Sequence, residues 1–279
     1  MVGGRISARE SWPWQIAIYA IRESGPTFLC GGALISPLWV LTTAHCFYDL
    51  GNGVFYGNTS WYLIKAGDHN LSFQETSQQD IKAEMIYVHP EFNDSSFING
   101  DIALVKLSQK AKLNRFVQTV CLPDEDEGDL AIPKTKGIVA GWGITRALTS
   151  TQLQDVTTAD FSKVLRHSAF RIRSDALCLL RSIIWYNSTM TFCAGDGNGK
   201  RDPCTGDSGG AFVRHVRRGV HRQWVAVGLV SWGSGCAQPG QYGYYTRVYP
   251  FIGWINNYIP IDGGYSQWSP WSRCSRSCG

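Results

Sequence analysis

A serine nucleophile is the chemistry suggested by the stretch CTGDSGGA, residues 204–211, in which Ser208 stands between an aspartate and two glycines. The same residue types are common in turns, so an ordinary loop is the alternative for this stretch taken alone. A serine that attacks a carbonyl needs a base, a group that orients the base, and hydrogen-bond donors for the oxyanion. The rest of the chain must supply all three if Ser208 is a nucleophile.

Six histidines are candidate bases, and His45 in TTAHC is the one followed by a cysteine, which a disulfide could fix in place. His215 and His221 lie among several arginines, where a solvated hairpin tip is the interpretation we favour. His69 and His89 stand in polar turns. We therefore predict that His45 is the base.

The orienting acid that we predict is Asp101, which opens the apolar run of NGDIALVKL. A carboxylate at that place is expected to be partly buried, and a buried carboxylate must be paired or hydrogen-bonded. An imidazole N–H would satisfy it and fix the tautomer that accepts the serine proton. A plain strand-end aspartate is the alternative.

The chain order of the three residues excludes one other hydrolase type. Residues 206–210 also match G-x-S-x-G, the nucleophile elbow of α/β-hydrolases, which place Ser before the acid and His on alternating strands and helices. Here the order is His45, Asp101, Ser208 on a strand-rich chain.

Short apolar or alternating runs that end at Gly, Pro, Asn or Asp recur along the chain and predict antiparallel strands in barrels or sandwiches. The runs are QIAIYAI, WVLTTA, WYLIKAG, DIALVKL, KGIVAGW and WVAVGLVSW. From Val248 to Ile259 the apolar residues instead have helical spacing, which predicts a terminal helix. For residues 155–177 we expect a surface loop, with an exosite as the alternative.

Composition excludes several classes of protein. With 44% hydrophobic and 17% charged residues and a net charge of +4 among 279 residues, neither general disorder nor nucleic-acid binding is indicated. No apolar run is long enough for a membrane span. Nine cysteines without paired CxxC knuckles indicate disulfides rather than zinc, and we expect no metal. The N-x-[ST] pattern that marks glycosylation acceptors occurs at Asn58, Asn70, Asn93 and Asn187.

These features predict a secreted, extracellular glycoprotein. Because the first residues lack a secretory signal, we expect either a fragment or a processed chain. Asp262-Gly263-Gly264 is predicted to be a linker, and the composition changes abruptly after it, in YSQWSPWSRCSRSCG. We therefore expect a main domain at 1–261, with halves of about 1–115 and 116–261, followed by a linker at 262–264 and the start of a second module at 265–279.

Ten motifs occur in one order along the chain: MVGG, SWPWQ, CGGALIS, TAHC, DIALVKL, VCLP, AGWG, FCAG, CTGDSGG and SWGSGC. Together they resemble the trypsin and chymotrypsin family of secreted serine endopeptidases, over about residues 1–259. The stretch WSPWSRCSRSCG resembles the start of a thrombospondin type 1 repeat, here truncated. The resemblance implies an all-β fold of two packed antiparallel six-stranded β-barrels with a C-terminal α-helix.

The resemblance implies that Ser208 attacks the scissile carbonyl, His45 moves the proton, and Asp101 holds the imidazole. It places the oxyanion hole at the N–H groups of Gly206 and Ser208. It also implies that Asp207 pairs with the α-amino group of Met1, freed when a zymogen is cleaved before that residue.

Cleavage after Arg or Lys follows from the acid that the resemblance places in the substrate pocket. The pocket residues that it implies are Asp202, Ser231, Trp232, Gly233 and Gly243. The disulfides that it implies are Cys30–Cys46, Cys178–Cys193 and Cys204–Cys236.

Protein or peptide substrates are the partners expected from the resemblance, with an upstream chain tethered through Cys121. No cofactor is expected, and dependence on sodium or calcium is left open. The arginine cluster at 214–222 leaves a glycosaminoglycan contact open. The alternative to an enzyme is a catalytically silent protease-like protein that acts in binding or adhesion.

Overall fold

The computed structural model describes residues 1–49, 51, 53–92 and 98–259. The predicted linker at 262–264, the predicted module at 265–279 and the acceptor Asn93 lie outside the described residues. The all-β class is confirmed, because strands make up most of the regular structure and the helices are short.

Each apolar run that predicts a strand lies within or overlaps a strand of the structure. The strands are β1 (Arg5–Ile6), β2 (Gln15–Arg22), β3 (Gly25–Ser36), β4 (Trp39–Thr42), β5 (Tyr48–Asp49), β6 (Val54–Phe55), β7 (Tyr62–Ala66), β8 (Gln79–Val88), β9 (Ala103–Leu107), β10 (Lys136–Gly141), β11 (Arg166–Arg171), β12 (Thr191–Ala194), β13 (Ala211–Arg218), β14 (His221–Trp232) and β15 (Gly243–Arg247). The α-helices are α1 (Asp175–Arg181) and α2 (Ile252–Tyr258), and 3₁₀ turns lie at Ala44–Phe47, Thr59–Trp61, Glu125–Glu127, Gln152–Asp155, Thr158–Asp160 and Tyr249–Phe251.

The first barrel is closed and has the strand order β2-β3-β4-β9-β8-β7. Its strands alternate inward and outward side chains, as β7 illustrates: Tyr62, Ile64 and Ala66 are buried, whereas Leu63 and Lys65 are partly exposed. Pairing of β2 with β7 closes the barrel. Closure leaves no unpaired sheet edge, so this half is a rigid support for residues at its strand ends.

The second half is the other β unit of the predicted fold. It is a seven-stranded sheet, β1-β11-β10-β13-β14-β15-β12, which β1 extends at one edge. Among the described residues, the bridge between Ile172 and Ala194 joins the end of β11 to β12, with hydrogen bonds from Arg173 N–H to Cys193 O and from Gly195 N–H to Arg171 O, each at 3.0 Å. The chain leaves this seam at Ser174, whose hydroxyl caps α1.

Our expectation of a surface loop at 155–177 is wrong, because this segment contains β11. The strand pairs with β10 along its whole length. Leu165, Phe170 and Ile172 are buried in the core. Polar Ser168 is buried whereas apolar Ala169 is partly exposed, and this reversal obscured the alternation that marks a strand.

The predicted terminal helix is present as α2, preceded by the 3₁₀ turn at Tyr249–Phe251. Ile252 and Ile255 of α2 share one buried cluster with Leu41 of β4, Leu104 of β9 and Leu229 of β14. The helix therefore packs on strands of both halves. No helix in the described part of the chain is both long and apolar enough to cross a bilayer.

Candidate active site

His45 and Asp101 meet because two paired strands end side by side. β4 pairs with β9 so that Thr42 lies opposite Ala103. His45 follows β4 in a 3₁₀ turn, and Asp101 precedes β9 by two residues. The His45 Nδ1 lies 2.8 Å from Asp101 Oδ2, and the backbone N–H of His45 donates to Oδ1 at 2.9 Å.

The surroundings of this pair determine which ring nitrogen of His45 carries the proton. Asp101 is fully buried, and the hydroxyl of Ser231 also donates to its carboxylate. Because a carboxylate only accepts, Nδ1 carries the proton, and the other ring nitrogen is free to act as an acceptor. Burial lowers the pKa of His45, but the charge and hydrogen bond of Asp101 outweigh it, and the net pKa is raised.

Ser208 is carried to the same cleft by the second half of the molecule. Its carbonyl accepts a hydrogen bond from Gly31 N–H at 2.7 Å. Gly31 follows Cys30, whose disulfide partner Cys46 is next to His45. A ring nitrogen of His45 and the two sulfur atoms lie within 4.8 Å of one another. Both sulfurs are used in the disulfide, so this group offers no thiolate for a metal.

Two backbone donors next to the serine are available for an oxyanion. Among the described residues, no acceptor engages the N–H of Gly206 or of Ser208, whereas Asp207 N–H donates to Cys204 O at 2.8 Å and Gly209 N–H to Val230 O at 2.9 Å. Gly206 has a φ of +91°, a conformation that favours glycine. The turn therefore presents two alternate N–H groups, those of Gly206 and of Ser208 itself, that could stabilise an oxyanion.

Asp207 is fixed by the α-amino group of Met1 in the interior. The amino nitrogen lies 2.8 Å from Asp207 Oδ2, and both side chains are fully buried. The same nitrogen donates to the carbonyls of Gly143 and Ile144, each at 2.7 Å. Burial lowers the pKa of the amino group, while the charge and hydrogen bond of Asp207 act in the opposite direction. The charged form of the amino group therefore depends on Asp207.

A pocket of about 130 Å³ opens beside Ser208. It is lined by the five residues that the resemblance implies, Asp202, Ser231, Trp232, Gly233 and Gly243, together with Leu153 and others. Asp202 supplies the only charged side chain among the described lining residues. The pocket is therefore suited to a substrate group of positive charge.

The Asp202 carboxylate is buried but open toward the pocket. It is 7% exposed, and Ala237 N–H donates to its Oδ2 at 3.0 Å. Burial raises the pKa of Asp202 to about 7, against the lowering effect of that N–H. A Cβ on Gly243 would lie 3.1 Å from Asp202 Oδ1, so a side chain there would cover the carboxylate.

The family model for trypsin matches residues 1–255. The chain belongs to the trypsin family. The match covers every strand given above and all the site residues described above, so the chain carries a serine protease domain. The resemblance to a thrombospondin repeat lies outside the matched residues and stays a prediction.

Three disulfides stabilise this trypsin-family domain. The pairs are those that the resemblance implies: Cys30–Cys46, Cys178–Cys193 and Cys204–Cys236. The last of them joins two segments that line the substrate pocket. Two segments of the pocket lining are therefore held together covalently.

Three of the four predicted glycosylation acceptors lie in the described part of the trypsin-family domain. Asn58 is exposed, and Asn70 and Asn187 are partly exposed. In each, the side-chain oxygen accepts from the N–H two residues later, at 3.0–3.1 Å. All three therefore stand in turns at the surface.

Sequence reasoning missed several supports of the site in this trypsin-family domain. Ser231 was predicted to bind substrate, but its hydroxyl also donates to Asp101, from which it is separated by 130 positions. The Thr246 hydroxyl donates to the Asp101 carbonyl at 2.8 Å. Leu153, in a 3₁₀ turn, lines the pocket. No local pattern marks any of these roles, because each depends on the tertiary fold.

Proposed function

We propose that the chain is a secreted serine endopeptidase that hydrolyses peptide bonds after Arg or Lys through an acyl-enzyme. One observation carries the proposal: Ser208 lines a pocket in which Asp202 is the charged side chain among the described lining residues. The pair of His45 with buried Asp101 supports it. The disulfides and the glycosylation patterns support secretion.

The mechanism follows from the roles of the side chains. Ser208 Oγ attacks the carbonyl carbon while the unprotonated nitrogen of His45 takes the hydroxyl proton. The oxyanion accepts from the N–H groups of Gly206 and Ser208. His45 then gives the proton to the leaving amine, and an ester to Ser208 remains. A water molecule, deprotonated by His45, cleaves that ester and regenerates the serine hydroxyl. Asp101 stabilises the ring cation in both halves of the reaction.

Specificity for Arg or Lys rests on the buried carboxylate of Asp202. An unpaired buried carboxylate is costly, so pairing with a guanidinium or ammonium group favours a cationic substrate over a neutral one. Gly243 supports the same proposal, because the absence of a side chain keeps the carboxylate accessible.

Activation by cleavage before Met1 is also proposed. The Met1 amino group is fully buried and pairs with Asp207, adjacent to Ser208. In a precursor, that nitrogen would be part of a peptide bond and would carry no positive charge. The preceding residues would also have to enter the interior, where the amino group is now buried. Cleavage would therefore allow the loops around Ser208 to order.

We keep the proposal that Cys121 joins an upstream chain by a disulfide. Cys121 is buried, and burial raises the pKa of its thiol to about 11. The proposal rests on the family resemblance of VCLP, residues 120–123. Mass spectrometry without reduction would identify the linked peptide.

Two further proposals concern the ends and the surface of the domain. A linker at 262–264 would connect the protease domain at 1–261 to a thrombospondin-like module at 265–279, on the residue pattern alone. A glycosaminoglycan would bind at the basic stretch 214–222. A catalytically silent binding protein is not favoured, because His45, Asp101 and Ser208 are all intact.

Hydrolysis of a chromogenic peptide with arginine at the cleaved bond tests the proposed function. We expect turnover by the wild type, loss of at least about 10³-fold for Ser208→Ala, and no change for Ser108→Ala, which removes an exposed hydroxyl. Correctly folded wild type that is no faster than Ser208→Ala on Arg and Lys peptides would favour the silent alternative.

A further inference from the structure

The hairpin of β13 and β14 carries the stretch RHVRRGVHR, residues 214–222, whose four arginines have no part in the proposed proteolysis. Gly219 and Val220 connect the strands, and the antiparallel register places Arg217 directly opposite Arg222. Residues directly opposite each other share a face of the sheet, and successive residues alternate between faces. The register therefore divides the arginines between two faces with different environments.

On one face the arginines are used by the fold. Arg214 donates to the carbonyl of Leu130, and its burial lowers the pKa of its guanidinium. Arg218 donates to both carboxylate oxygens of Glu127 and to the carbonyl of Leu122 at 2.9 Å. These two arginines have little capacity left for a ligand.

The other face carries His215, Arg217 and Arg222, all exposed, and we call it the hairpin face. Among the described residues, no carboxylate forms an ion pair with Arg217 or Arg222. Like charges directly opposite each other destabilise a sheet. An anion held between the two guanidinium groups would remove this repulsion, and a guanidinium fork matches the oxygens of sulfate as it does those of phosphate.

A row of rings leads from the hairpin face to another cation. The His215 ring stacks on Trp224 at 4.7 Å, Trp224 packs on Trp12 at 5.5 Å, and Trp12 packs on His167 at 5.4 Å. In the pairing of β1 with β11, exposed Arg5 lies directly opposite His167. Cationic side chains therefore stand at both ends of a continuous row, which a single small anion cannot span.

We infer that the hairpin face and Arg5 bind one sulfated polysaccharide of the glycosaminoglycan class, which lies along this row of rings. A nucleic acid is the other extended polyanion. Single-stranded nucleic acids gain affinity by stacking bases on open aromatic faces. Here Trp12 is buried and the His215 ring is stacked on Trp224, so the row is a poor platform for stacked bases. The site therefore favours a polymer that binds through its negative charges.

The hairpin face lies far from Ser208. β13 begins at Ala211, three residues after Ser208, and Arg217 is six residues further along the strand. At about 3.3 Å per residue, this strand length alone is roughly 20 Å. A polysaccharide held at the hairpin face would therefore retain the protein on a matrix at a distance from Ser208. Binding is measured without turnover, so the inference stands or fails independently of the proposed proteolysis.

Titration of the full chain with a long heparin fraction, at several NaCl concentrations near about 0.15 M, tests the inference. The variant Arg217→Ser/Arg222→Ser should bind at least about tenfold more weakly and reduce the slope of log Kd against log salt by about two. The control Arg22→Ser/Lys110→Ser removes two exposed charges elsewhere and should stay within about twofold of wild type. Arg5→Ser should weaken binding of long heparin but not of a heparin tetrasaccharide.

Three results would overturn the inference. Equal losses in the hairpin variant and the control would mean that net charge alone drives binding. Single-stranded DNA that binds as tightly as heparin, with the same sensitivity to the hairpin variant, would assign the face to nucleic acid. The variant Arg217→Lys/Arg222→Lys keeps both charges. Full wild-type affinity in this variant would exclude recognition of sulfate by the guanidinium forks. The melting temperature should not fall in the serine variant, because the change removes a repulsion.

Discussion

Asp202→Asn should remove the preference for cationic substrates while leaving the catalytic residues in place. Asp202 is 7% exposed, and its Oδ2 accepts from Ala237 N–H. Asparagine has nearly the same shape and keeps an oxygen for that hydrogen bond. The substitution therefore removes the charge with little change of volume in the pocket.

The magnitude follows from the burial of the carboxylate. Burial raises the pKa of Asp202 from an ordinary 3.8 to about 7, which corresponds to about 4 kcal/mol of lost stabilisation of the charged form. A substrate cation pairs with this poorly solvated charge. Removal of one partner from a buried pair costs about 3–5 kcal/mol. We therefore expect kcat/KM for an arginine peptide to fall on the order of 10²–10⁴-fold.

The assay compares two peptides that differ only in arginine or citrulline at the cleaved bond. Asp202→Asn should lose activity on arginine and keep its activity on citrulline, and the control Asp155→Asn should change neither. In the wild type, KM for arginine should rise as the pH falls through about 7, where Asp202 becomes protonated, and KM for citrulline should not. Equal losses on both peptides would refute the reasoning, because they would make Asp202 a support of the fold.

Three further predictions concern the base, the pocket wall and the buried terminus. The rise of kcat/KM with pH should lie above pH 6.5, the ordinary pKa of histidine, because Asp101 raises the pKa of His45. Asp101→Asn should lower the maximal kcat/KM about 10³–10⁴-fold and move this rise to lower pH. A pH–rate profile in which the rise does not move would contradict the role assigned to Asp101. Gly243→Ala puts a Cβ 3.1 Å from Asp202 Oδ1, so KM for arginine peptides should rise about tenfold or more. An unchanged KM would show that the substrate does not contact the pocket wall at Gly243. Asp207→Asn should abolish activity and lower the free energy of unfolding by about 3–5 kcal/mol. Chemical denaturation measures the change in stability. Wild-type activity in this variant would show that catalysis does not require the ion pair with the Met1 amino group.

The sequence predicts the features that depend on local patterns, such as the apolar strands and the site residues at the ends of those strands. His45 and Asp101 flank apolar runs that became β4 and β9, and the pairing of those strands brings the two residues together. Residues 166–171 were not predicted as a strand, because their alternation is broken by a buried serine, Ser168, and by the partly exposed Ala169. The bond from Ser231 to Asp101 could not be predicted either, since it joins the two halves of the molecule across 130 positions.

The apolar runs predict strands but not the point at which the chain leaves a sheet. In the described residues, Ser174 caps a helix just beyond the bridge between Ile172 and Ala194. That boundary depends on a side-chain cap, which the alternation of apolar residues does not reveal.

Covalent labelling tests the central claim most directly, namely that folding makes Ser208 a nucleophile through His45. The mature protein would be treated with diisopropyl phosphorofluoridate, and the adduct would be located by mass spectrometry. We predict one adduct per chain, on Ser208, and none on folded His45→Ala. An adduct on another serine, or an unlabelled protein that still hydrolyses the arginine peptide, would contradict the account.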